Sequence, residues 1–237
     1  MNIEQLSKRL ETVVSYIPKQ SRIADIGSDH AYLPCYAVKK EIATFAIAGE
    51  VVKGPFLSAK KQVQDSNLTN RVEVRLGNGL EVISPGEVDC ITIAGMGGTL
   101  IASILQAGVE KLTGVSRLIL QPNVSAKSIR TWLLNNEWGL VQEEIMEEDG
   151  KVYEVLVAEK GNPKALYTPD EFEKELLLGP ILIKNCNDAF RKKWNQECAQ
   201  WKNIIKNMEK AEKTPDLEHR KQVLLKKIQM VEEVLDS

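Results

Sequence analysis

Apolar residues recur along this chain with two different periods, and the switches between them mark out its elements. Ile3, Leu6, Leu10, Val13 and Val14 keep a three-four spacing, which predicts an amphipathic helix from Ile3 to Tyr16, ended by Pro18. Ile23, Ala24 and Ile26 then form a short apolar run that stops at Gly27, and a helix is expected from Asp29 to Val38. Thr44 to Glu50 predicts a second strand, Pro55 to Gln64 a helix and Val72 to Leu76 a third strand. Val88 to Ala94 reads as a central strand, followed by Gly95, Gly97 and Gly98 and a helix from Thr99 to Leu105. Leu118 to Asn123 repeats the strand-then-polar theme, with Ser125 placed to cap a helix running to Asn136. Short apolar strands alternating with helices predict an α/β fold around a mostly parallel sheet. Leu140 to Met146 and Val152 to Ala158 depart from that rhythm, because Asp149-Gly150 between two alternating runs is a hairpin signal.

The composition changes at Gly161-Asn162-Pro163, and beyond Pro169 the pattern is helical. Phe190, Trp194, Trp201, Ile205 and Met208 keep heptad-like spacing, as do Leu217, Leu224, Ile228, Val231 and Leu235, with Thr214-Pro215 between them. The expectation is two domains, 1–162 and 163–237, the second a coiled-coil helical hairpin with Trp194 and Trp201 in its seam. Lys184, Arg191, Lys192, Lys193, Lys202, Lys206 and Lys210 make its first helix locally basic, either as a solvated face or as a surface for an anionic polymer.

Composition narrows the chemistry. Two histidines and no C-x-x-C spacing among Cys35, Cys90, Cys186 and Cys198 argue against a metal centre or a redox pair. A net charge of −2 gives no global sign of nucleic acid, so any such surface must be local, with Lys8 and Arg9 of the first helix as further candidates. No apolar run reaches the roughly 20 residues of a membrane span, and the expectation is a cytoplasmic protein, monomeric and without an obligate protein partner.

The candidate chemistry lies at strand ends. Asp25-Ile26-Gly27-Ser28-Asp29 is a strand, turn and helix start, but a carboxylate stands where a dinucleotide site needs its second glycine. Asp29 would repel two phosphates and suits a ligand carrying an ammonium and a sulfonium, which points to S-adenosylmethionine. A parallel sheet closed by a hairpin is the Rossmann-like class I methyltransferase arrangement, seven-stranded, whereas a plain dinucleotide fold keeps its last strand parallel. Glu50, with Val51 beside it, falls where a nucleotide site places the acid for ribose hydroxyls. Asn78 and Gly79 are either a turn or an adenine-edge contact. The glycines after Ala94, around Met96, suggest close approach by a ligand.

Asp25-Ile-Gly-Ser-Asp-His-Ala-Tyr-Leu-Pro34, Ala94-Gly-Met-Gly-Gly98 and Gln121-Pro-Asn123 resemble, in order and spacing, the signatures of the bacterial TrmK type tRNA methyltransferases. The resemblance implies methyl transfer to N1 of an adenine in the tRNA D-arm, adenine 22. It implies a cofactor site from Asp25, Gly27, Ser28, Glu50, Val51, Asn78, Gly79, Ala94, Gly95, Met96 and Gly97. Gly98, Gln121, Pro122, Asn123, Lys8, Arg9, Lys192 and Lys193 would meet the substrate. Asp29, His30 and Tyr32 would act on the base, Asp29 by stabilising the charge that forms there, although Asp29 could instead cap the helix or hold the cofactor ammonium. Asn78 departs from the Asp that methyltransferases often carry. Two other readings remain open on the residues alone: a nicotinamide-dependent oxidoreductase, and a non-catalytic RNA-binding protein on the same fold.

Overall fold

The computed structural model describes residues 3–210 and 214–236. Seven strands form one sheet: Ser21–Ile26 (β1), Ala43–Glu50 (β2), Val72–Leu76 (β3), Cys90–Gly97 (β4), Arg117–Val124 (β5), Trp138–Glu148 (β6) and Lys151–Lys160 (β7), in the order β3-β2-β1-β4-β5-β7-β6. β1 to β5 are parallel and β7 runs antiparallel to β5. Both faces of the parallel strands are covered, which is why Ile23, Ile47, Ile91, Ile93, Ile119 and Leu120 are all fully buried. The winding reverses between β1 and β4, and in such a sheet the ligand crevice opens outside the carboxyl ends of those strands. Asp149 and Gly150 have φ of 50° and 76°, the doubly left-handed turn that a two-residue hairpin requires.

Helices Lys8–Ser15 (α1), Tyr32–Lys39 (α2), Lys53–Asp65 (α3), Gly98–Ala107 (α4) and Ala126–Asn135 (α5) connect the strands. Three differ from expectation. α1 starts at Lys8 rather than Ile3, because the Ser7 hydroxyl accepts from the Leu10 amide and caps the helix there. α2 starts three residues later than expected, after a left-handed turn. Ser125 stands at the start of α5 but caps nothing with its side chain, since its own backbone is left-handed at φ 61°. On α5, Arg130 is completely buried and donates to Glu143 at 2.6 Å and to Glu154 at 2.7 Å. Burial opposes its charge, yet the two carboxylates outweigh that and hold it firmly protonated.

The chain divides into two compact units, Met1–Glu144 with Tyr153–Ala165, and Ile145–Val152 with Leu166–Ser237. Within the second, Phe172–Leu178 (α6), Asp188–Met208 (α7) and Pro215–Leu235 (α8) share a core built on Leu178, Phe190, Trp194, Trp201, Ile228 and Val231. Trp194 and Trp201 are therefore core residues, and the short α6 adds to the two helices expected. Asn187 caps α7 through the Phe190 amide, and Thr214 caps α8 with Pro215 in its first turn.

Candidate active site

The loop after β1 is built from the end of β2. The amides of Gly27 and Ser28 both donate to the Gly49 carbonyl, at 2.9 and 3.2 Å, and the next amide, Asp29, donates to the Glu50 carboxylate. Asp29, His30 and Ala31 then take φ of 39°, 64° and 56°. Three successive left-handed residues without a glycine are strained, at about 1–2 kcal/mol each, and such strain gathers at functional sites. The turn ejects Asp29 from the protein, leaving its side chain 77% exposed, with His30 Nε2 3.6 Å from its Oδ1 and the His30 ring stacked on Tyr32. Asp29 is therefore no helix cap; α2 has no side-chain cap at all.

Asp25 lies beneath this loop, 3% exposed, accepting from the Ser28 and Thr92 hydroxyls at 2.6 Å each. Burial pushes its carboxyl above the usual range, against the pull of those two hydrogen bonds. Glu50 is 6% exposed and is likewise raised, chiefly by burial and further by the charges of Asp25 and Asp29. A side chain at Gly27 would be strained by its φ of 71° and would displace the Met96 methyl, which lies 2.1 Å from an added Cβ.

β4 does not stop at Ala94 but continues through its glycines to Gly97, with irregular register against β5 around Met96. Gly95 is left-handed at φ 80°, and both its polar groups are tied to β5: its amide donates to Gln121 Oε1 at 2.9 Å, and its carbonyl accepts from Asn123 Nδ2 at 2.7 Å. Arg9 of α1 also donates to Gln121 Oε1, and its guanidinium lies 5.2 Å from the Tyr153 ring centre. The glycines thus have separate causes. Gly98 is set against the Ser125 backbone, where a Cβ would lie 2.2 Å from the carbonyl oxygen, while Gly97 has only a Val124 methyl at 3.9 Å.

These pieces enclose a cavity of about 320 Å³, lined by Arg9, Asp25, Gly27, Ser28, Asp29, Tyr32, Ala94, Gly95, Met96, Asn123 and Tyr153. Asn78 and Gly79, at the end of β3, line a second cavity of about 260 Å³ with Leu100 and Ile104. Val51 is exposed beside Glu50. Gln121 is fully buried and its amide is engaged within the fold, so it supports the site from behind rather than meeting a substrate, and Pro122 is buried with it. Lys8 is exposed and does not line the cavity. Lys192 and Lys193 belong to the helical unit, where Lys192 pairs with Glu147 at 2.6 Å and Lys193 lies over the Trp194 ring. Tyr153 and Thr92 carry no motif, and only the register of β7 and β4 brings them here.

The TrmK family, described as tRNA (adenine(22)-N(1))-methyltransferase, matches residues 23–233. The chain belongs to this family. It is 52% identical to the tRNA (adenine(22)-N(1))-methyltransferase of Bacillus subtilis (strain 168) over 236 residues, 100% of this chain and 99% of the relative. The crystal structure of the B. subtilis M1A22 tRNA methyltransferase TrmK superposes with a TM-score of 0.94 at 52% identity, covering 98% of this chain and 99% of that one. A Streptococcus pneumoniae protein in complex with S-adenosyl-L-methionine is 41% identical with a TM-score of 0.86, covering 98% of this chain and 100% of that one. M. capricolum TrmK in complex with S-adenosyl-homocysteine is 27% identical with a TM-score of 0.81, covering 98% of each chain. The fold is therefore that of a Rossmann-like methyltransferase with C-terminal helices, and the oxidoreductase reading falls away. Among the described residues no cluster of three or more His, Cys, Asp or Glu could hold a metal, and no helix is long and apolar enough to cross a membrane.

Proposed function

We propose that this chain methylates N1 of adenine 22 in tRNA at the cavity between the β1 loop and the β4 turn. The observation that carries the assignment to this cavity is its pair of acids, Asp25 buried beneath the β1 loop and Asp29 exposed on it, with Met96 in the same lining. The exposed Asp29 carboxylate fits the ammonium or sulfonium of S-adenosylmethionine, and the Arg9 guanidinium of the same lining is held by Gln121 and Tyr153. S-adenosylmethionine supplies an electrophilic methyl on sulfur. Gly27, Ser28, Ala94, Gly95, Met96 and Gly97 shape the surface for its methionine part, and Asp25 holds the Ser28 loop in place. Glu50 takes the ribose hydroxyls, and Val51, Asn78 and Gly79 face the adenine.

Neutral adenine carries a lone pair at N1, so no proton need be removed before attack. What the protein must do is expose N1, hold it in line and tolerate the cation that forms. N1 is on the pairing edge, so the base has to leave its helix. Asp29 accepts from the exocyclic amine and stabilises the new charge, while His30 and Tyr32, already stacked on each other, orient the ring. Asn123, Tyr153 and Arg9 form the opposite wall, and Lys8 and Arg9 meet the backbone phosphates. Residues 1–162 act as the methyltransferase domain, and 163–237 as a helical coiled-coil domain whose Lys192, Lys193 and exposed neighbouring lysines hold tRNA. The enzyme acts as a monomer in the cytoplasm, where its substrate is made and modified.

Asp29→Asn tests the reading. The side chain is exposed and asparagine tolerates a left-handed backbone, so the fold should survive. Single-turnover methylation at saturating cofactor should fall roughly a hundredfold to a thousandfold, the loss of about 3–4 kcal/mol of charge stabilisation. A folded variant with the wild-type rate would remove Asp29 from the chemistry, and one with normal rate but weaker cofactor would move it to the ammonium.

A further inference from the structure

We infer that Glu50 is a positioning residue for Asp29, acting through the backbone of the β1 loop in addition to any contact it makes with the cofactor. The inference rests on the proposed role of Asp29 at the base. Three successive amides, Gly27, Ser28 and Asp29, turn back onto the end of β2. The first two land on the Gly49 carbonyl, which no side-chain substitution removes. The third lands on a carboxylate, and it is the one that belongs to the exposed acid itself.

Downstream of that contact the chain enters its least favourable backbone, with Asp29, His30 and Ala31 all left-handed and none a glycine. The far end of the turn is fixed by packing: Ala31 is fully buried, and its carbonyl accepts from Cys35 at 3.1 Å in the first turn of α2. Asp29 and His30 have no such packing, with side chains 77% and 47% exposed. The Glu50 hydrogen bond is thus the near-end support of the strained segment. It enters through Oε1 alone, and among the described residues Oε2 has no partner, so one carboxylate serves two tasks. A ligand hydroxyl can engage Oε2 while Oε1 holds the Asp29 backbone at the rim of the cavity that Asp29 lines. Arrival of the cofactor and placement of the acid are then linked through a single side chain.

The test is a set of variants measured at saturating cofactor, so that weakened cofactor binding appears in KM and the aiming of Asp29 in kcat. Glu50→Ala removes the acceptor, and kcat should fall roughly tenfold to a hundredfold, as for a lost hydrogen bond to a charged group. Glu50→Gln keeps an oxygen acceptor at the same reach; it should still weaken the cofactor, but its kcat should stand well above that of Glu50→Ala. In Asp29→Asn/Glu50→Ala the two losses in kcat should not multiply, because the second acts only through the first. Thermal melts check folding, and if Glu50→Ala does not fold, Glu50→Asp makes the same measurement by withdrawing the acceptor one methylene. A wild-type kcat for a folded Glu50→Ala, a Glu50→Gln as slow as Glu50→Ala, or multiplying losses would each overturn the inference. A wild-type rate for Asp29→Asn would instead overturn the role of Asp29, and the two failures are read from different variants.

Discussion

Gly97 and Gly98 are neighbours in one motif, yet alanine should do opposite things at them. At Gly98 the new Cβ would lie 2.2 Å from the Ser125 carbonyl oxygen, 2.8 Å from its carbon and 3.0 Å from the Val124 oxygen. All three are backbone atoms, so no side chain can swing away, and α4 must back off from the β5–α5 connection by about 1 Å. Overpacking costs typically 1–3 kcal/mol, and an immovable neighbour puts this case at about 3. For a chain of this size that corresponds to a melting temperature lower by about 6–12 °C. At Gly97 the backbone is ordinary, φ −70° and ψ 141°, and the nearest atom is 3.9 Å away. Alanine there should cost about 1 kcal/mol, as a poorer residue than glycine at the start of α4. If Gly97 is bare because a ligand comes close, its Cβ displaces that ligand instead, and a misplacement of about 1 Å can cost a hundredfold in rate. Thermal melts without cofactor, together with single-turnover methylation of tRNA well below the melting range, separate the two. Gly98→Ala should melt early and still turn over; Gly97→Ala should melt almost normally and turn over slowly. A Gly97→Ala enzyme of full activity would refute close approach at that residue, and a Gly98→Ala protein as stable as wild type would refute the packing argument.

Three further outcomes are expected. Arg130→Met leaves Glu143 and Glu154 buried without their cation, and should cost about 3–5 kcal/mol in urea unfolding, while a variant that also replaces both acids by apolar residues should regain most of it. Lys206→Glu/Lys210→Glu, two exposed positions at the end of α7 and just past it, should raise the KM for tRNA, leave cofactor affinity unchanged and lower the salt slope of tRNA binding by about 2; an unaltered slope would show that this face is merely solvated. Burial, and a hydrogen bond to Glu144, push the Tyr16 hydroxyl from 10.0 to about 12. A raised value means stability that is intact below pH 10 and is lost as pH rises towards 12, so wild type should lose about 1 kcal/mol more than Tyr16→Phe over that window in paired melts, after allowance for the partial exposure of the ring.

The parallel strands and the closing hairpin were legible because each is written in a local pattern: continuous apolar runs for strands buried on both faces, and Asp149-Gly150 for a turn that needs two left-handed residues. The common edge was legible as a set of strand ends, since topology alone brings Asp25, Glu50, Asn78 and Gly95 there, although of these only Asp25 and Gly95 line the cavity at the β1 loop and Asn78 lines a separate one. Its working geometry was not. Asp29, His30 and Ala31 look like the first turn of a helix, but their left-handed turn is held at one end by an acceptor on β2 some twenty residues away and at the other by the burial of Ala31. Gln121 looks like a polar residue waiting for a ligand, and only the fold shows its amide turned inward to Gly95. The glycine motif looks in sequence like a single device for a ligand, whereas in the fold Gly98 answers to Ser125.

The left-handed turn at residues 29–31 also bears on how such a protein would drift under selection. A glycine at position 30 would relieve a backbone strain of about 1–2 kcal/mol without touching the core, against about 0.5–1 kcal/mol of freedom added to the unfolded chain, so variants chosen for heat resistance alone should gain from it. The same glycine would slacken the segment that carries Asp29. Libraries screened only for melting temperature should therefore enrich a change at His30 that thermal data score as an improvement and a methylation assay scores as damage.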